Sequence, residues 1–94
     1  MGAGLKRATA ATAMTRLTDG QRSVLAAMGD QWMDLDALTK AADVGGVSPR
    51  ETTARIANAL VRSFVLDKEG ARASPKWRVS EHVVSMVTRT LPRQ

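Results

Sequence analysis

The stretch VSPRETTARIANALVRS, residues 47–63, decides how this chain is read. Ser48, Pro49 and Glu51 have the order of an N-cap, a first helical residue and the third-position acid of a capping box. Such a cap contributes about 1 kcal/mol, so the spacing predicts a helix over residues 49–63. At about 100° per residue, Thr53, Ile56, Ala57, Leu60, Val61 and Phe64 gather on one side, with Glu51, Arg55, Asn58 and Arg62 on the other. The apolar side needs a core to pack against. The polar side meets water, another protein or a nucleic-acid groove.

Upstream, TDGQ carries a second cap, with Thr18 as N-cap and Gln21 closing the box. Val24, Leu25 and Met28 then share one helical face, and Gly29 and Asp30 end the run. In QWMDLDALTKAADVGG, residues 31–33 form a short extended link and Asp34 caps the next helix. Leu35, Leu38, Ala41 and Ala42 make its apolar stripe, which Gly45 and Gly46 stop. Trp32 is expected against the preceding helix or a partner subunit. Residues 1–17, rich in Ala, Thr and Gly, are either a loose arm or a weak leading helix around residues 8–14.

Downstream, residues 64–67 and 76–79 read as two strands joined by a tip containing Gly70 and Pro75. In the second strand Trp77 and Val79 alternate with Lys76 and Arg78, so one face covers a core and the other stays charged. Ser80 then caps a terminal helix through residue 90, ended by Pro92. Its stripe of Val83, Val84, Met86, Val87 and Leu91 either closes the core or pairs with a second copy of the chain.

A chain of 94 residues has room for a single modest core, which puts any function on its surface or on a dimer. The net charge of +5 is unevenly spread: residues 1–17 carry +3, residues 18–47 carry −3 and the remainder carries +5. Positive charge gathered this way suits a polyanionic partner. With no cysteine, no apolar run long enough for a membrane span and no signal-peptide core, a cytoplasmic protein without disulfides is expected. His82 is the lone histidine, and there is no phosphate-cradling glycine loop and no serine, histidine and acid constellation. We therefore expect no enzyme, no metal and no cofactor. An aromatic content of 3% offers few stacking platforms for single strands.

The expected fold class is mainly α with a small β-hairpin. In this order of elements residues 18–79 resemble the winged helix-turn-helix domain: LTKAADVGGVSPRETTARIANALVRSFVL is similar to the helix-turn-helix, and LDKEGARASPKWRVSE resembles the wing of MarR-like bacterial regulators. The resemblance implies a three-helix core, a wing and an added C-terminal helix over residues 80–94, with residues 1–17 as an N-terminal arm. One departure stands. Aligning Ala42, Gly46 and Val47 with the compact motif puts its later apolar sites on Thr52 and Arg55 instead of Thr53 and Ile56, so the turn is about one residue longer.

The resemblance also implies a function: sequence-specific binding of double-stranded DNA by a small bacterial or phage transcriptional regulator. Residues 49–63 would enter the major groove, and the basic wing, residues 67–78, would reach the backbone or minor groove. Arg55 and Asn58 can bond bidentately to guanine and adenine edges. Ser48, Arg50 and Arg62 suit phosphates, Thr52 completes the set on the helix, and Lys68, Arg72, Lys76 and Arg78 supply sequence-blind attraction. A homodimer through the terminal helix is the expected assembly. Plainer readings remain: Glu51 and Arg55 can form a surface ion pair, Trp77 is better read as core than as a stacking platform, and Lys6 and Arg7 belong to either a DNA-reaching arm or a solubilising tail. The fold also serves as a protein-docking module, the alternative function.

Overall fold

A computed structural model of the chain describes residues 3–29 and 31–84. Among these residues four helices pack with a small three-stranded antiparallel sheet, a mainly helical architecture. Where arm and helix were both open, the leading segment is a helix, α1 (Ala3–Met14). Its alanines favour the helical backbone, and Ala10 and Met14, one turn apart, are buried together with Leu17. α1 rests on a 3₁₀ turn, Glu81–Val83, at the far end of the chain.

α2 (Asp19–Ala27) starts at the expected capping box. The Gln21 amide donates to Thr18 Oγ1 at 3.1 Å and the Thr18 amide donates to Gln21 Oε1 at 3.0 Å. A two-residue strand, β1 (Met33–Asp34), follows where only an extended link was expected. Asp34 ends that strand and caps α3 (Leu35–Ala42), its Oδ1 accepting from the Ala37 amide at 2.8 Å. In the α3 stripe Leu38 and Ala42 are buried and Leu35 packs partly against the core, whereas Ala41 is exposed. A left-handed Asp43, φ 48°, ends the helix ahead of the two glycines.

α4 (Pro49–Arg62) has the expected start but not the expected cap. Thr18 and Asp34, which do cap, have ψ of 167° and 174°; Ser48 has ψ 75°, so its hydroxyl makes no bond to the helix amides and no capping box with Glu51 forms. Gly45 and Gly46, both at positive φ, bring the chain into Pro49 along a path that leaves the hydroxyl outside. Thr18→Ala is therefore expected to cost about 1 kcal/mol and Ser48→Ala only a few tenths. Urea midpoints of the two variants check this, and equal losses would contradict it.

The end of α4 explains a second difference. The Phe64 amide donates to the Val61 carbonyl at 3.0 Å and the Val65 amide to the Leu60 carbonyl at 2.9 Å, a Schellman motif with Phe64 left-handed at φ 63°. Phe64 thus leaves the apolar side of the helix and stays 37% exposed, with the Lys6 ammonium 5.7 Å from its ring centre. The strand expected at residues 64–67 starts two residues later as β2 (Leu66–Glu69) because the cap consumes Phe64 and Val65.

β3 (Lys76–Val79) lies between β1 and β2, with Trp77 opposite both Met33 and Lys68. Gly70 turns the hairpin at φ 93°, and a Cβ there would lie 2.6 Å from the Ser74 carbonyl oxygen, so only glycine fits. The alternation is as expected, with Trp77 and Val79 buried, Lys76 exposed and Arg78 half-buried. They join Val24, Leu25, Leu38, Leu60, Val65, Leu66 and Val83 in one core.

Thr53, fully buried on α4, has a hydroxyl without a hydrogen-bond partner. An unsatisfied buried hydroxyl costs about 1–3 kcal/mol, so Thr53→Val is expected to raise stability by about 1 kcal/mol. A higher urea midpoint at unchanged slope is the readout, and a lower midpoint would refute the expectation.

Ser80, expected to cap a terminal helix, precedes the 3₁₀ turn without a side-chain cap; its hydroxyl is bonded elsewhere, as described below. The terminal helix through residue 90, with Met86, Val87 and Leu91, lies outside the described residues. Among the described residues no helix is long and apolar enough to cross a membrane.

Candidate functional site

Along the outer side of α4 run Glu51, Arg55, Asn58 and Arg62, one turn apart in sequence and therefore in line. Arg55 and Arg62 are exposed, and neither takes part in an ion pair among the described residues. Glu51, one turn from Arg55, makes none with it either.

The hairpin meets this line through Lys68. Opposite Trp77 in the antiparallel register, Lys68 shares the sheet face that turns toward the core and α4. Its ammonium sits 5.6 Å from the Trp77 ring centre and donates to Asn58 Oδ1 at 3.0 Å. An ammonium within about 6 Å of an indole ring centre is a cation–π contact. Arg55, Asn58, Arg62 and Lys68 thus make one continuous basic strip.

The other wing cations divide from it. Lys76 and Arg78 occupy the opposite face of the sheet, the face shared by Asp34, Asp67 and Glu69. Lys76 stands in register between Asp34 and Glu69. The Arg78 guanidinium lies 4.5 Å from the Trp32 ring centre and 3.8 Å from Asp67 Oδ2, while Asp67 Oδ1 accepts the Ser80 hydroxyl at 2.8 Å. Trp32 therefore packs on the hairpin's arginine, a contact beyond the preceding helix or partner that the sequence led one to expect. Three acids against two bases make this face no electrostatic match for a polyanion. Arg72 is exposed in the connecting loop, beyond both faces.

At the start of α4, Ser48 is exposed and its hydroxyl makes no cap bond to the helix. Arg50 pairs with Asp36 of α3, both side chains well exposed. Thr52 is half-buried. On α1, Lys6 lies over Phe64, so this residue of the expected arm is folded onto the body of the protein.

The three pairings Asn58–Lys68, Asp36–Arg50 and Trp32–Arg78 were not visible in the sequence. Each joins residues at least ten positions apart in the chain, and no periodicity reports on partners brought together by the fold.

Elsewhere, His82 Nε2 lies 3.0 Å from the Phe64 carbonyl oxygen, a contact that ties the 3₁₀ turn to the end of α4. Among the described residues no group of three histidine or acidic side chains is arranged to hold a metal ion. An open cleft of about 210 Å³ is lined, among the described residues, by Arg78, Val79, Glu81 and Val84, one base and one acid with two valines. Among the described residues, the strip on α4 and Lys68 is the candidate binding surface. Comparison of the chain with protein-family models, with curated proteins and with solved structures finds no match.

Proposed function

We propose that the protein is a winged helix-turn-helix DNA-binding protein, a small bacterial or phage regulator that acts in the cytoplasm by occupying double-stranded operator DNA. In this reading α3 and α4 are the helix-turn-helix, α4 lies in the major groove and the β2–β3 hairpin is the wing. The observation that carries the reading is the bond from Lys68 to Asn58. It joins a hairpin cation to the polar line of the helix, so Arg55, Asn58, Arg62 and Lys68 can face one duplex together. Arg55 and Asn58 act on base edges, Arg62 and Arg72 on phosphates, and Arg50 on a phosphate once it leaves Asp36.

The second reading, a protein-docking module, is favoured by the hairpin's outer face, where Asp34, Asp67 and Glu69 outnumber Lys76 and Arg78. Fluorescence anisotropy of a labelled mixed-sequence duplex, titrated at several salt concentrations, separates the two. DNA binding is expected to give a log–log salt slope of several units, about 0.9 for each phosphate neutralised. Absence of binding at low salt would leave the docking module.

A further inference from the structure

An asparagine amide has an acceptor end and a donor end, and adenine in the major groove presents one donor and one acceptor to match them. Free of other partners, Asn58 would thus be read as an adenine contact. The fold works against that option. A lysine ammonium only donates, so the atom of Asn58 that faces Lys68 Nζ at 3.0 Å is the carbonyl oxygen, which gives one of its two lone pairs to Lys68 and has a cation beside the other.

The other hydrogen-bonding groups of the pair are the NH₂ of Asn58 and the two further N–H groups of Lys68. Every one is a donor. Guanine presents two acceptors, N7 and O6, whereas adenine would bring its N6 donor against an ammonium or an amide NH₂. One turn back along the helix, Arg55 also offers donors alone. Glu51 is the acceptor on the line, two turns from Asn58.

We propose that Asn58 and Lys68 act as one unit that reads guanine at the position where Asn58 by itself would read adenine. Lys68 is thereby a specificity-determining residue of the hairpin, its ammonium held over the buried Trp77 ring. The proposal rests on the DNA-binding reading above and adds the base.

Selection from a randomised duplex pool by the wild-type protein and by Lys68→Met tests it. Methionine keeps an apolar stem and has no donor to hold the Asn58 oxygen. Circular dichroism of the variant verifies that it folds, and Lys68→Gln, uncharged and polar, serves as a second variant. The wild type is expected to select guanine at a position that becomes indifferent in Asn58→Ala. In Lys68→Met the guanine-to-adenine preference there should move toward adenine by about tenfold or more, the size of a bidentate base contact. Arg72→Ala is expected to weaken binding to all sequences without changing that preference. Adenine selected by the wild type, no preference at all, or guanine retained in Lys68→Met would overturn the guanine assignment while DNA binding stood. No binding to any duplex at low salt would remove both.

Discussion

Trp77→Ala is expected to cost about 3–5 kcal/mol, the range for deleting a fully buried large aromatic. The residue is 1% exposed, lies on the central strand opposite both Met33 and Lys68, and is the largest fully buried side chain. A domain of this size has little stability to spare against such a loss. Trp32→Ala is expected to cost far less: Trp32 is half-buried outside the sheet, and its stacking on Arg78 contributes about 0.5–1 kcal/mol at an exposed site. Trp77→Phe should recover more than half of the alanine loss. It retains most of the ring and removes the indole N–H, which is buried without an acceptor. Urea unfolding followed by circular dichroism ranks the three variants. Equal losses for Trp32→Ala and Trp77→Ala would mean that the hairpin is not anchored through Trp77.

The parts of this fold legible in the sequence were those governed by neighbours a few residues away. Thr18 with Gln21 and Asp34 with Ala37 cap their helices as local spacing requires. Trp77 and Val79 turn inward because strict alternation leaves one choice of face. β1 escaped notice because two residues cannot show an alternation. Ser48 has the residue type of a cap, but its ψ is set by the turn that leads into Pro49, and a residue type does not report a dihedral. The start of β2 moved because a phenylalanine stands at a left-handed position where glycine is usual, and nothing in its side chain announces that.

The candidate site was legible in half. Helical spacing correctly lines up Glu51, Arg55, Asn58 and Arg62 on one side of α4. It could not tell that the wing cations part company, Lys68 to the helix and Lys76 and Arg78 to the acidic outer face. Strand parity contains that separation, since residues 68 and 77 share one face and residues 67, 69, 76 and 78 the other, but only once the register is known.

This separation sets the second large effect, on duplex affinity. Arg55→Ala is expected to weaken binding to a preferred duplex by about 1–3 kcal/mol, the worth of a bidentate base contact, because the side chain is exposed and has no ion-pair partner among the described residues to leave. Arg62→Ala should weaken binding to all sequences alike and lower the salt slope by about 0.9, as the loss of one phosphate contact does. Arg50→Ala should do less than Arg62→Ala, since Arg50 exchanges Asp36 for the phosphate rather than gaining a new partner. By the same exchange, Asp36→Asn should bind more tightly than wild type. Lys76→Ala should change little, with Asp34 and Glu69 on either side of it. Anisotropy titrations of the five variants on one duplex give this order directly. If Lys76→Ala weakened binding as much as Arg55→Ala, the duplex would lie against the outer face of the sheet, and the basic strip on α4 would not be the surface that meets DNA.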